Sequence, residues 1–310
     1  MRRKILLTGK SGQVGFELAR LLPVLGEVVA PDRREMDLQS PESTRRMIRD
    51  VRPELIVNAA AYTDVSKAEV EKDKARAINA EALGIMAEEG EKIGSVLLHY
   101  STDYVFDGTK TCPYDEEDKP NPINVYGETK LAGEHAVQHS GVSYLIFRTA
   151  WVYGMKGRNF LTTVLQLLTE REELRVVRDQ IGAPTWSREI AVATKDILVQ
   201  LVEYGQNSLS KLNGVYHLTS AGQTNRFDFA NAILEEASRT TLDVCQLPLA
   251  IRNRPIIARH IIPVTTEHYP SPARRPAYSV LSNKKLQRVF GIALSDWRIQ
   301  LQMAFTSNHF

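Results

Sequence analysis

Tyr126 and Lys130 are four residues apart in Tyr126-Gly127-Glu128-Thr129-Lys130, so a helix would place both on one face. A phenol ordinarily titrates near about 10, too high for easy proton traffic at neutral pH. An ammonium one turn away favours the phenolate and lowers that value, making the pair suited to general acid–base work. Upstream, Tyr100-Ser101-Thr102-Asp103-Tyr104 follows an apolar run and offers a hydroxyl, Thr102, that can donate to a carbonyl oxygen. The chemistry of such a set is proton delivery to an oxygen that gains charge. In isolation Tyr-x-x-x-Lys also occurs by chance, and a threonine also closes a strand without further purpose.

A second group lies near the start. Thr8-Gly9-Lys10-Ser11-Gly12-Gln13-Val14-Gly15 has glycines spaced G-x-x-G-x-x-G, between the apolar run Ile5–Leu7 and a segment of helical period. Glycine allows the tight turn, the approach of backbone amides to a pyrophosphate, and close packing of helix on strand. The helix start adds unpaired N–H groups and a positive dipole end. Beyond the next apolar run, Asp32 is placed to bind a ribose 2′-hydroxyl, as NAD requires. Arg33 and Arg34 beside it would suit the 2′-phosphate of NADP, so the cofactor is read as NADPH or NADH.

The elements that must position these residues alternate along the chain. Strands are expected at Ile5–Leu7, Val28–Ala30, Leu55–Val57, Val96–Tyr100, Tyr144–Phe147, Leu174–Val177 and Val215–Leu218. Between them, helical periods run from Val14 to Leu22, over Ala68–Ile93, Tyr126–His139, Phe160–Arg171 and Glu189–Tyr204, with a later one at Phe227–Ala237. Ser40-Pro41-Glu42 reads as a helix start, with Ser40 as the cap. Apolar strands separated by helices imply an α/β fold, a doubly wound parallel (Rossmann) sheet. The expected division is a dinucleotide-binding domain over 1–225 and a smaller C-terminal substrate lobe over 226–310, the two interleaved. The stretch from Pro248 to Pro276 reads as irregular and rich in Pro and Arg.

Composition excludes several classes. The formal net charge of +2 sets up no field for nucleic acid or a membrane surface. Two cysteines, Cys112 and Cys245, lie far apart with no CxxC, which argues against a disulfide framework or zinc site. The apolar run after Met1-Arg2-Arg3-Lys4 is too short for a signal peptide, and no run is long enough to span a bilayer. A cytoplasmic location is expected.

These motifs resemble the extended short-chain dehydrogenase/reductase superfamily and, within it, the dTDP-4-dehydrorhamnose reductase family. The resemblance covers almost the whole chain. It includes the glycine loop, Val57-Asn58-Ala59-Ala60-Ala61-Tyr62-Thr63, Tyr100 to Phe106, Asn124 to Glu134 and Phe147-Arg148-Thr149-Ala150-Trp151-Val152-Tyr153-Gly154. Asp179 to Thr185 and Tyr269-Pro270-Ser271-Pro272-Ala273-Arg274-Arg275-Pro276 also fit. Related dehydratases carry Asp-Glu after the threonine, whereas this chain has Asp103-Tyr104, which disfavours elimination and leaves reduction.

The resemblance implies hydride transfer to a 4-keto group on a dTDP-sugar. Tyr126 would be the proton donor, with Lys130 and Thr102 assisting. It implies cofactor contacts from Gly9, Gly12, Gln13, Val14 and Gly15, from Asp32, Asp37 and Leu38, and from Ala61, Tyr62, Thr63, Tyr100, Tyr126 and Lys130. Thr102, Asp103 and Trp151 would meet the sugar nucleotide, although Trp151 also reads as a core aromatic. Arg252, Arg254, Arg259, Arg274 and Arg275 are the candidate cations for the diphosphate, the last two within the matching motif. Some family members are magnesium-linked homodimers. Glu17 matches one such metal position, but Arg188-Glu189 is displaced by one from another, so no metal residue is assigned. Two other readings stay open: an epimerase or dehydratase with a recycling cofactor, and a non-catalytic module like the regulatory subunit of methionine adenosyltransferase.

Overall fold

The structure, a computed structural model, describes residues 3–204, 212–239, 254–269 and 271–306. Its centre is a six-stranded sheet in which every pairing is parallel. The strands are β1 (Lys4–Thr8), β2 (Glu27–Val29), β3 (Leu55–Asn58), β4 (Val96–Thr102), β5 (Ser143–Thr149) and, later in the chain, β10 (Gly214–His217). Their spatial order is β10-β5-β4-β3-β1-β2. The chain runs from β1 out to β2 and then crosses back past β1 to β3, and this reversal opens a crevice at the carboxyl ends of the strands.

Both faces of the sheet are covered, and the two-residue side-chain period sorts the core. Ile5, Leu7, Val57, Leu98, Leu145 and Phe147 point to the face packed by α1 (Gln13–Leu21) and α8 (Ser187–Tyr204). Leu6, Ile56, Leu97 and Ile146 point to the other, against α2 (Pro41–Val51), α5 (Ala82–Lys92) and α6 (Val125–Gln138). Ser40 caps α2 as expected, its side chain accepting the Ser43 N–H. Pro23 falls in a 3₁₀ turn over Leu22–Val24, which stops α1.

The single long helix expected over Ala68–Ile93 is instead broken. It comprises α3 (Val65–Ala68), α4 (Lys72–Arg76), a π turn at Ala77–Glu81 and α5. The break at Glu69–Glu71 lets the Glu69 carboxylate accept the Val125 N–H at 2.9 Å, tying the start of α6 in place.

A second core lies beside the sheet. It joins Tyr153, Leu161, Leu165, Leu168 and Trp186 to Phe229, Ile233, Trp297, Leu301 and Phe305. It packs α9 (Arg226–Arg239) between α7 (Phe160–Glu170) and α11 (Trp297–Thr306). This core draws on residues well before 226, while Leu286 and Phe290 of α10 (Lys284–Phe290) return to the main core. No one position along the chain separates the two cores. The stretch read as irregular contains a strand, β12 (His260–Val264), which pairs in parallel with β7 (Glu173–Val177).

Candidate active site

The crevice is a cleft of about 760 Å³ whose walls include the glycine loop, the ends of β3 and β4, one face of α6, and Trp151, Phe160, Arg226 and Phe229 beside the second core.

At one end the wall is mostly backbone. Gly9 has φ +77°, and a Cβ there would lie 2.7 Å from the Ala59 carbonyl and the Ala60 nitrogen. At Gly15 a Cβ would lie 2.0 Å from the Gly9 carbonyl oxygen. Gly12 caps the start of α1 with an extended backbone and with little near its α-carbon besides that same oxygen at 3.3 Å. Chain and helix therefore come closer than any side chain allows, and the first N–H groups of α1 open into the cleft. The buried Gln13 Oε1 has no protein partner there. A loop without side-chain bulk, an unpaired helix start and an orphaned polar atom fit a dinucleotide phosphate.

Asp32, Asp37 and Leu38 line the same end. The Asp32 carboxylate accepts the N–H groups of Arg34 and Glu35 at 2.7 and 3.1 Å, which hold its pKa below the ordinary value. Lys10 also lines it; its ammonium reaches the Ala30 carbonyl at 2.5 Å.

At the other end the wall is side chains. Thr102, Asp103, Tyr126 and Lys130 all line it, with Tyr100 behind them. Burial pushes the Tyr126 phenol well above its usual pKa; a hydrogen bond with Thr102 opposes this and the nearby Asp103 adds to it. Thr102 donates to Asp103 Oδ1 at 3.0 Å and accepts the Tyr104 N–H at 3.2 Å. Burial also drives the Asp103 carboxyl up to about 6, against hydrogen bonds from Ser279 and Thr102 and the charge of Arg226.

Lys130 is buried at this end. Its Nζ lies 2.8 Å from His99 Nε2 and donates to the Tyr100 carbonyl at 2.6 Å. Burial lowers its pKa to about 7.

Four predicted residues do not line the cleft. Gly15 sits behind the loop, where it permits packing. Tyr62 turns away: its ring packs beside Ala68, Ala75 and Val125 with the Lys74 ammonium 5.6 Å from its centre, and Asn79 clamps its backbone N–H and carbonyl. Arg274 is exposed, and its carbonyl accepts from Asn124. Arg275 is half-buried with its Nε unpartnered. Of the other arginines, Arg254 faces Glu170 at 3.7 Å and Arg252 lies outside the described residues. Ala61, Thr63, Gln13 and Val14 line the cleft.

Arg226, which the sequence does not single out, lines the cleft. It lies 4.2 Å over the Trp151 ring, bonds Gln180 and faces Asp103. Its only sequence signal is its place at the start of α9. Trp151 itself has φ +46°, a strained value for a bulky residue, and its ring covers Gly182, where a Cβ would lie 2.4 Å away. His99 and Asn58, both buried beside Lys130, were read only as strand residues and part of a motif.

No group of three or more His, Cys, Asp or Glu among the described residues is placed to hold a metal ion. Glu189 accepts from the Ser295 hydroxyl at 3.3 Å.

The family model described as the RmlD substrate binding domain matches residues 3–309. A dTDP-4-dehydrorhamnose reductase from Burkholderia thailandensis is 49% identical over 296 residues, covering 95% of each chain. One from Escherichia coli K12 is 43% identical over 299 residues, covering 95% of this chain and 94% of the relative. Among solved structures, a Bacillus anthracis dTDP-4-dehydrorhamnose reductase in complex with NADP superposes with a TM-score of 0.85. It is 33% identical and covers 98% of this chain and 99% of that one.

Proposed function

The chain belongs to the dTDP-4-dehydrorhamnose reductase family, and we propose that Tyr126 is its proton donor, positioned by Thr102 and served by Lys130. The reaction is reduction of the 4-keto group of dTDP-4-dehydro-L-rhamnose to give dTDP-L-rhamnose. The observation that carries the residue assignment is the shared wall: Thr102, Tyr126 and Lys130 line one cleft with the glycine loop at its far end.

A reduced nicotinamide, NADPH or NADH, supplies hydride to C4 of the sugar. Gly9, Gly12, Gln13 and Val14 would hold its phosphates, with Asp32, Asp37 and Leu38 toward the adenosine. Ala61, Thr63, Tyr100 and Lys130 would line its path to the sugar. Tyr126 then gives its phenolic proton to O4 as charge develops there. Burial, by raising the phenol pKa, keeps the proton in place until that moment, the state a reductive donor needs. Thr102 holds the phenol and turns its own hydroxyl between Asp103 and the substrate oxygen. Trp151 and Arg226 would bind the sugar nucleotide from the second core, Arg226 supplying charge toward the diphosphate. Both substrates are small and water-borne, which supports a cytoplasmic enzyme.

The test is a spectrophotometric assay with dTDP-4-dehydro-L-rhamnose, comparing NADPH with NADH. Stoichiometric loss of reduced cofactor is expected. Turnover of the sugar without net cofactor loss would instead establish an epimerase-type cycle and sink the reading.

A further inference from the structure

Thr8, Asn58 and His99 stand in register across β1, β3 and β4, Thr8 opposite Asn58 and Asn58 opposite His99. All three point to the sheet face that α6 covers, and all are buried, as is Lys130. Their side chains form one row. Thr8 Oγ1 donates to Asn58 Oδ1 at 2.6 Å, Asn58 Nδ2 meets His99 Nδ1 at 3.0 Å, and His99 Nε2 meets Lys130 Nζ at 2.8 Å.

The protons in this row are determined by one backbone group. The Ala60 N–H donates to Asn58 Oδ1 at 3.2 Å, so the amide oxygen cannot be exchanged with the nitrogen. Asn58 therefore presents N–H to His99 Nδ1, which must accept. The neutral ring then carries its hydrogen on Nε2, aimed at Lys130. An imidazolium would set Nδ1–H against the Asn58 amide donor, and a lysine ammonium would set its N–H against Nε2–H. We propose that Thr8, Asn58 and His99 are positioning residues that hold Lys130 as a neutral amine in the cofactor-free protein, donating one N–H to the Tyr100 carbonyl.

The groups facing Lys130 agree with this state. His99 comes from β4. Glu134, one turn along α6, favours the ammonium, but Arg148 of β5 neutralises it through contacts down to 2.6 Å. Tyr126 lies one turn back on α6, and Asp103 lines the same cleft wall. Burial lowers His99 well below its usual pKa and lowers Lys130 to about 7. A neutral Lys130 adds no positive charge beside Tyr126, so the phenol keeps its proton until charge develops on the sugar oxygen.

The inference rests on the Tyr126 and Lys130 assignment for its catalytic meaning, but its first test does not need turnover. Long-range ¹H–¹⁵N spectra of the cofactor-free protein should show His99 as the Nε2–H tautomer, unchanged between about pH 8 and 9, where Lys130 is the amine. An Nδ1–H tautomer or an imidazolium in that range overturns the proposal, whatever the activity. The second test is Asn58→Asp. A carboxylate accepts from Ala60, from Thr8 and from His99 Nδ1–H, so it reverses the ring and offers Nε2 as an acceptor to an ammonium. The Lys130 Cε resonance and the matching limb of the kcat/KM profile should then move to higher pH by about one unit or more. Asn58→Ser, which restores a neutral partner, should move them back. A resonance that stays put in a folded Asn58→Asp protein equally overturns the proposal.

Discussion

At the glycine-loop end of the cleft the wall is mostly backbone, and its tolerance is set by distance: a Cβ at Gly15 would lie 2.0 Å from a carbonyl oxygen. At the Tyr126 end the wall is mostly buried polar side chains, most of them paired with one another. Thr102 bonds Asp103, Lys130 bonds His99 and Tyr100, and Glu134 bonds Arg148 and Ser101. The first end fails by collision. The second fails by losing a partner, which strands a proton or a charge away from water. A cofactor phosphate needs many weak donors held in a curve, and backbone supplies them without choosing a protonation state. Proton transfer needs a few groups whose ionisation is controlled, and only side chains offer that.

The largest effect that would break this contrast concerns Tyr126. Tyr126→Phe removes the proton and little volume, so kcat should fall by about 10²- to 10⁴-fold. Binding of NADPH, measured by fluorescence quenching, should stay within a few-fold. Near-normal turnover would remove the phenol from the mechanism. Next comes Glu134→Ala, which leaves the Arg148 guanidinium buried and uncompensated. The expected loss is about 3–5 kcal/mol in urea unfolding, with Glu134→Ala/Arg148→Met recovering most of it.

At the backbone end, Gly15→Ala should cost about 1–3 kcal/mol as the loop gives way. The melting temperature should fall by several degrees, while Gly12→Ala, with its nearest atom at 3.3 Å, leaves melting almost unchanged. Equal effects at the two positions would contradict the steric account.

The smallest effect sharpens the contrast through pH. Asp103 has its folded pKa raised from 3.8 to about 6. The folded protein thus holds this proton more tightly than the unfolded chain does. The stability it contributes is full below about pH 4 and is lost as pH rises to about 6. Asp103→Asn has no charge to bury, so it should gain on the native protein across that window by about 3 kcal/mol. Thermal melts at pH 4 and pH 8 check this; a difference independent of pH would refute it.

What could be read in the residues divides along the same line. The glycine loop, the Ser40 cap and the strands announce themselves locally, through spacing, turn chemistry and apolar runs, and the parallel sheet follows from their alternation. The Tyr126–Lys130 pair is also local, being one helical turn. What escaped depends on register and tertiary approach. Nothing near His99 in the chain says that Asn58 and Thr8 stand beside it; that needs the pairing of β1, β3 and β4. Tyr62 carries the right motif but is drawn outward because Asn79, on a π turn, captures its backbone. Arg226 outranks Arg274 and Arg275 at the cleft because α9 of the second core brings it there. The break before α4 and the strand at His260–Val264 likewise answer to distant partners, Val125 and β7.

The interleaving of the two cores bears on how the molecule is made. On a ribosome, β1 to β5 emerge together and can pair as five strands, but β10, which completes the sheet beside β5, is synthesised only after α7, β7 and α8. Until then β5 is an open edge on a nascent chain, offering Leu145 to Arg148 unpaired. The interval of greatest aggregation hazard therefore opens when Thr149 leaves the exit tunnel and closes when His217 does.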